Sequence, residues 1–402
     1  MKRLLKISFD LSLLSFIPII SWFLLGIIVD KNLINIFTLT YPLQFIYYIL
    51  KSVFSTGANI NKEKDGNSNA VMSGMIIGTI VSIIIFSVIL INIDDYINFM
   101  NMDINTYKVF TIYSVLEIFI SLEFSMVLNK LYYEEKNTLA NKYSLIFNLL
   151  NFMLLIGTSL ITKNQITIVA ITLIPLFLFT LYIYIKNSKK FKLQLDIIKC
   201  IKYDSVELFN NIAFLLIFLF GLSNALEYGE QFAIALTFVA LITDTQWDTA
   251  DAIVTAATID ISKKNFNYKE HRNNAYKLLC ILFLTSLFMF VCLYRFYNLN
   301  FKITMIYFGF EIENFIIYPI YRIKTCYLQL EWSAVKTTSN KICASVLRMM
   351  MSFLKTPFCT GIGQVCSSVY QFISVSIFFK LNYNVDKTGK VTSKKIISKD
   401  NV

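Results

Sequence analysis

The eighth long apolar segment of the sequence carries three acidic residues at helical spacing. Asp244, Asp248 and Asp251 stand at positions i, i+4 and i+7, so an α-helix places them on one face. Because a charged side chain at bilayer depth costs about 2.5–3.5 kcal/mol on insertion scales, this acidic stripe is expected to face a cavity. There it would bind a cation, a proton or a cationic substrate, with Trp247 as an aromatic surface for a cation. The alternative is a structural polar network with basic residues such as Arg348.

Other polar residues within apolar segments extend the candidate site. Glu207, Asn210 and Asn211 are three and four positions apart, so they form one patch on a helix. This patch predicts either a wall of the binding site or a set of hydrogen bonds between helices. Glu311 and Glu313, in the tenth apolar segment, are further candidates for binding a cation or a substrate.

Two acidic residues in the fourth apolar segment are predicted to act separately. Glu117 and Glu123 are six positions apart, which places them on different faces of a helix. One is expected to face the lumen and the other to pair near Lys130. The spacing therefore argues against one shared site.

The remaining reactive residue types exclude most enzyme chemistry. The 7 cysteines form no CxxC pair and the single histidine is His271, so neither a histidine metal cluster nor a Ser-His-Asp triad can be assembled. No Walker motif is present, which excludes direct ATP coupling within the chain. We therefore expect no catalytic residues, no bound metal and no cofactor, and the chain is not expected to be an enzyme.

Composition places the chain among membrane proteins. Of 402 residues, 56% are apolar and 16% are charged, and several windows of about 20 residues, the length of a membrane-spanning helix, are almost free of charge. The segments 75–92 and 169–185 are apolar on every side, whereas the strands of a β-barrel would alternate. We predict an all-α polytopic membrane protein of about twelve transmembrane helices. The predicted spans are 7–29, 34–55, 70–92, 106–129, 144–162, 165–186, 206–226, 231–257, 276–297, 303–323, 335–354 and 358–379.

The distribution of basic residues predicts the orientation of the chain. The 37 Lys and Arg residues give a net charge of +11, but they are spread through short connections, so a nucleic-acid partner is not expected. Basic residues beside the spans concentrate on alternate sides, which predicts cytoplasmic termini and a location in the cell membrane.

The predicted helices divide into two halves. The longest basic connection, 186–203, lies at the middle of the chain and leaves six predicted spans on each side. The predicted domains are an N-terminal six-helix lobe at 1–186, a cytoplasmic linker at 187–205, a C-terminal six-helix lobe at 206–380 and a Lys-rich tail at 381–402. Polar loops at 59–70 and 260–275, after the second and eighth helices, are a weak echo of one half in the other.

This layout and two stretches of sequence resemble the multidrug and toxic compound extrusion (MATE) transporters, within the wider group that includes oligosaccharide-lipid flippases. The eighth span, 232–263, looks like the second helix of that family's C-terminal half, and Gly26-Ile27-Ile28-Val29-Asp30 resembles its Gly-x-x-Val-Asp motif. The sequence departs from the family at Thr249 and Ile253, where the family has proline and glycine, and near Asn210, where it usually has Glu. The resemblance implies that Asp30 binds a cation or a proton. The alternative for Asp30 is an interfacial charge.

The resemblance implies a secondary transporter that exports an organic, cationic or amphiphilic solute by Na⁺ or H⁺ antiport. Its partners would be the small-molecule substrate and the lipid bilayer. It would need no cofactor besides Na⁺ or H⁺ as the coupling ion, and it would act as a monomer. One alternative is a lipid-linked oligosaccharide flippase, in which Lys336, Lys341 and Arg348 would bind anionic groups. The other is a non-transporting membrane protein on a decayed transporter fold.

Overall fold

The computed structural model describes residues 4, 17, 19–100, 102–188, 192–262, 266–331 and 334–393. Within α-helices it leaves some side chains outside the description, among them those of residues 244–249, 251, 329–331 and 334–336. The described chain is helical apart from short connections and one β-hairpin. It forms two units, an N-terminal unit (Phe16–Leu219) and a C-terminal unit (Phe220–Val402, with Leu4 in its core).

The helices follow the apolar runs of the sequence. In the N-terminal unit they are α1 (Ile19–Ile28), α2 (Ile36–Lys51), α3 (Ala58–Asp65), α4 (Ala70–Ile91), α5 (Ile93–Phe99), α6 (Ile104–Tyr133), α7 (Asn137–Ile161), α8 (Gln165–Asn187) and α9 (Ile197–Tyr203). Helix α10 (Ser205–Glu227) begins in this unit and ends in the C-terminal unit. The C-terminal unit continues with α11 (Glu230–Ser262), α12 (Tyr268–Leu293), α13 (Phe301–Glu331), α14 (Ala334–Ser352) and α15 (Cys359–Asn382).

The prediction of a polytopic helical membrane protein is confirmed. Each predicted span coincides with a described helix, the first of them in part. In the described part of the chain, 8 helices are long and apolar enough to cross a membrane, and the segments Ile19–Ile28 and Glu230–Thr243 are shorter apolar helices. Many of their apolar side chains are exposed, such as Ile84 and Ile161, as expected for surfaces that face lipid.

Several helices are longer than a bilayer requires. Helix α6 has 30 residues, α11 has 33 and α13 has 31, which at about 1.5 Å per residue exceeds the roughly 30 Å hydrocarbon core. The prediction of polar loops at 59–70 and 260–275 is wrong over much of both ranges, because helices continue into them beyond the bilayer. Helix α3 continues to Asp65 and ends at the left-handed Gly66, with φ 67°, while α12 begins directly after its cap Asn267, whose side chain accepts from Glu270 N.

A π-helical turn, Ser52–Gly57, joins α2 to α3. The short helix α9 packs against it, and a Cβ on Gly57 would lie 2.5 Å from the carbonyl oxygen of Cys200. Glycine is therefore required for this close approach of two backbones. Beside it, the Ser52 hydroxyl donates a hydrogen bond to Asp204 Oδ2.

The segment before α9 is fastened to the start of α4. Gln194 N donates to Ser73 Oγ at 2.8 Å, and Lys192 N donates to Asn69 Oδ1 at 3.2 Å. An ion pair of 3.1 Å joins Lys199 Nζ to Asp65 Oδ2. The second half of the predicted linker is thus part of the packing of the N-terminal unit.

A β-hairpin follows α15 in the C-terminal unit. Its strands β1 (Tyr383–Val385) and β2 (Val391–Ser393) are antiparallel. Asn267 Nδ2 donates to Thr388 O at 3.0 Å, and Tyr268 N donates to Gly389 O at 2.9 Å. The hairpin is therefore bonded to the connection before α12, although the sequence predicted only a Lys-rich tail.

Candidate cation and solute site

A carboxylate within α6 forms the core of a polar network in the N-terminal unit. Glu117 is half-buried, and its Oε1 accepts a hydrogen bond from Asn151 Nδ2 on α7. Asn151 is 5% exposed and its Oδ1 accepts from the Tyr113 hydroxyl at 3.0 Å. The amide thus uses both of its ends to join two groups on α6. Within the described residues, Glu117 forms no ion pair with a basic side chain.

Aromatic rings lie next to this network. The ring of Trp22 on α1 is 5.7 Å from that of Tyr113, 6.3 Å from that of Phe110 and 5.2 Å from that of Phe37 on α2. All four side chains are at most 7% exposed and pack edge to face on one another, so the Asn151–Glu117 pair borders a packed aromatic cluster.

Asp30 lies at the end of α1 and organises the turn that follows. Its Oδ1 accepts from Asn32 N at 2.9 Å, and its carbonyl oxygen accepts from Leu33 N at 3.0 Å. These bonds start the 3₁₀ helix Lys31–Asn35 that leads into α2. Asp30 thus caps the turn between α1 and α2. The binding of a cation or a proton that the resemblance implies for Asp30 stays a prediction.

The predicted patch on α10 lies in the N-terminal unit. Glu207 is exposed, Asn210 is half-buried and Asn211 is 9% exposed. Further along the helix, Phe214 and Phe218 stack on Phe45 of α2 at 5.8 and 5.4 Å. Asn211 shares their face at spacings of three and seven.

The three members of the patch thus differ in burial, with Asn211 continuing the face that packs on α2. Their role in binding stays a prediction.

The acidic stripe of α11 lies outside the described side chains. The backbone of α11 is helical through Asp244, Asp248 and Asp251, so their predicted common face follows from helical geometry. The side chains of these residues and of Trp247 are not described. Their assignment to a cation or substrate site stays a prediction.

The C-terminal unit holds a second set of polar groups on α13 and α14. Glu311 and Glu313 are half-buried, and both carboxylate oxygens of Glu313 are buried without a hydrogen-bond partner among the described residues. Arg348 Nη2 donates to Gln364 Oε1 at 3.1 Å, and Tyr321 lies within electrostatic range of both Arg348 and Glu313. This unit therefore holds acidic and basic groups around one tyrosine.

Sequence reasoning missed the network around Glu117, and its prediction that one of the two carboxylates pairs near Lys130 is wrong. The two carboxylates do lie against different helices, α7 and α4, as their spacing predicts. Glu123, however, contacts hydroxyl groups instead of pairing near Lys130, whose Nζ donates to Asn187 O. An available signal was Asn151 itself, because an amide inside an apolar span requires a polar partner.

The fold is similar to that of solved MATE structures. An inward-facing multidrug resistance MATE family transporter of the MOP superfamily has a TM-score of 0.61 and 13% identity, covering 95% of each chain. The outward-facing conformation of such a transporter has a TM-score of 0.62 and 13% identity, covering 94% of this chain and 96% of that one. A MOP superfamily transporter from Pyrococcus furiosus, described by a reversed polarity of its binding pocket, has a TM-score of 0.59 at 14% identity, with coverage of 94% and 96%.

No protein-family model and no curated protein matches the sequence. At 13–14% identity, the similarity to the solved structures establishes the fold. It extends over about 95% of the chain and therefore includes both units. The chain is a multi-pass membrane protein with the fold of the MATE and MOP-superfamily transporters.

Proposed function

We propose that this protein is a MATE-like secondary transporter that exports an organic, cationic or amphiphilic solute in exchange for Na⁺ or H⁺. The similarity to MATE transporters along nearly the whole chain carries the proposal. In this proposal the protein acts as a monomer in the cell membrane with both termini in the cytoplasm, and it catalyses no chemical reaction.

The network around Glu117 supports coupling to a cation. A carboxylate within a membrane span is a functional candidate by default, because its charge must be compensated. Within the described residues Glu117 is hydrogen-bonded to the neutral Asn151 amide and forms no ion pair, so a proton, Na⁺ or a cationic solute would compensate its charge. The acidic stripe of α11 would supply further carboxylates in the other unit.

An organic cation is the proposed solute because its charge would neutralise Glu117. The buried rings of Trp22 and Tyr113 lie beside this carboxylate, and the Tyr113 hydroxyl donates to Asn151. Competition between a coupling ion and a cationic solute for the same carboxylate is a simple basis for antiport, since only one of them neutralises Glu117 at a time.

A flippase for lipid-linked oligosaccharides is the second candidate, and Arg348 favours it. This half-buried guanidinium on α14 donates to Gln364 Oε1, and a guanidinium is a charge-assisted donor suited to a pyrophosphate or an anionic sugar. Lys341 lies on the same helix, while the side chain of Lys336 is outside the described residues.

The test is flux of ethidium-like cations in proteoliposomes under an imposed Na⁺ or pH gradient. We expect gradient-dependent movement by the wild type and its loss in Glu117→Gln and in the triple Asp244/Asp248/Asp251→Asn variant. Glu135→Gln is the matched control, because Glu135 is exposed in the turn after α6. Absence of movement under either gradient would contradict the proposal, and flux of a lipid-linked anion instead would support the flippase.

A further inference from the structure

A second carboxyl group of α6 lies in a niche made of hydroxyl groups. Glu123 is 6% exposed and faces α4. Its Oε2 lies 2.5 Å from Thr79 Oγ1, and its Oε1 lies 2.8 Å from Ser82 Oγ. Within the described residues, no Lys or Arg forms an ion pair with it. Tyr184 of α8 is the other titratable group beside it, with its hydroxyl next to that of Thr79.

The number of hydrogens available in this niche indicates the protonation state of Glu123. Thr79 Oγ1 also lies 2.8 Å from the carbonyl oxygen of Met75, and Ser82 Oγ lies 2.9 Å from that of Thr79. Each hydroxyl has a single hydrogen to donate. Four close oxygen–oxygen contacts therefore share two hydroxyl hydrogens. With an ionised Glu123, two of these contacts would bring acceptors together without a hydrogen between them.

A proton on Glu123 removes one of these conflicts. The carboxyl O–H then donates to Thr79 Oγ1, and Thr79 donates to the Met75 carbonyl. Ser82 donates to the remaining Glu123 oxygen. A threonine oxygen accepts up to two hydrogen bonds while donating one, so it also accommodates the Tyr184 hydroxyl. Protonated Glu123 thus leaves one of the four contacts without a hydrogen, whereas ionised Glu123 leaves two.

We infer that Glu123 is a proton-binding site of the N-terminal unit, separate from Glu117, with Thr79 and Ser82 as the hydroxyl groups that hold the protonated side chain. The site deepens the proposed function, because its part in coupling rests on the chain being a transporter. Release of the proton would require the Thr79 hydroxyl to turn from the Met75 carbonyl of α4 to the carboxylate, as the Ser82 hydroxyl already does. Protonation would thereby change the contact of α4 with α6.

Tight packing keeps the niche small. A Cβ on Gly78, the residue before Thr79, would lie 2.8 Å from Phe54 Cβ and 2.9 Å from Met126 Cε. Helix α4 therefore lies close against the π-helical turn and α6 at this level. A proton fits between the oxygens of such a niche, whereas a metal ion would need them to move apart.

The test is infrared difference spectroscopy on the full-length protein in lipid vesicles. We expect the wild type to show the C=O band of a protonated carboxyl group at neutral pH, absent in Glu123→Gln and retained in Glu117→Gln. Addition of Na⁺ at constant pH should leave the band in place. A Glu123→Gln spectrum identical to that of the wild type, or a band removed by Na⁺, would overturn the inference.

Three variants distinguish the proton site from a folding defect. Glu123→Gln should keep the melting temperature of the wild type, because the amide can donate to Thr79 and accept from Ser82. Thr79→Val should move the C=O band, whereas Thr172→Val should leave it unchanged, since among the described residues the Thr172 hydroxyl bonds only within its own helix, to Ile168 O. Equal spectra for the two valine variants would contradict the assigned partner.

This experiment and the transport assay can fail independently. The band requires no transported solute, so a Glu123 band without any flux would reject the transporter and keep the proton site. Flux without a Glu123 band would reject the site and leave the proposed function in place.

Discussion

Substitution of Asn151 tests the network that links α6 to α7. Asn151→Leu removes two interhelical hydrogen bonds, one to Glu117 and one from Tyr113. The matched control is Asn148→Leu, one helical turn earlier. In the described part of the chain, the amide of Asn148 donates only within its own helix, to Ser144 O at 3.0 Å.

The structure gives the magnitude of the effect. Interhelical hydrogen bonds in membranes contribute about 0.6 kcal/mol on average and about 1.7 at most. Two such bonds amount to about 1.2 kcal/mol, with a ceiling of about 3.4 kcal/mol if both are of the strongest kind. The two variants change an amide to the same apolar side chain, so the difference between them isolates the bonds to α6.

The assay is equilibrium unfolding in mixed detergent micelles, for both variants and the wild type. We expect Asn151→Leu to lower the free energy of unfolding by about 1–3 kcal/mol more than Asn148→Leu. Equal free energies of unfolding for the two variants would refute the placement of Asn151 between Glu117 and Tyr113.

Two further predictions concern the packing around α9 in the N-terminal unit. Gly57→Ala should lower the free energy of unfolding by about 1–3 kcal/mol, because its Cβ meets the backbone of Cys200. Gly157→Ala, where a Cβ meets nothing within 4 Å, should raise the free energy of unfolding by about 0.5–1 kcal/mol. A lower free energy of unfolding for Gly157→Ala than for Gly57→Ala would contradict the packing of α9. Burial raises the pKa of Asp204 above its ordinary value of 3.8, so its folded-state carboxyl holds a proton more tightly than the unfolded one and stability falls as pH rises through the raised pKa. Asp204→Asn, which keeps an acceptor for Ser52, should therefore raise the melting temperature at neutral pH and lose this advantage below about pH 3.8. An equal rise in melting temperature at both pH values would contradict burial as the cause of the raised pKa.

The helices were predictable because membrane spans are long apolar runs. Each predicted span coincides with a helix to within a few residues at most ends, as for α4 (Ala70–Ile91) and α8 (Gln165–Asn187). The predicted loops at 59–70 and 260–275 failed because hydropathy detects the end of the membrane, not the end of a helix. A helix stops where its backbone is capped, as at Gly66.

The polar sites were predictable only in part, because a helical period gives the face of a residue and not its partner. The separation of Glu117 from Glu123 followed from their spacing. Their actual partners, Asn151 on α7 and Thr79 on α4, depend on which helices pack against α6. The π-helical turn at Ser52–Gly57 likewise depends on a contact with Cys200, which lies far away in the sequence.

Transport across a sealed bilayer tests the central claim most directly. Purified protein in proteoliposomes would be loaded with an ethidium-like cation, and efflux would be recorded with a pH gradient, with a Na⁺ gradient and after each gradient is dissipated. The proposal predicts efflux that one of the two gradients accelerates and that returns to the rate of protein-free vesicles when the gradient is dissipated. Efflux at the protein-free rate under both gradients, from protein that retains its fold, would contradict it.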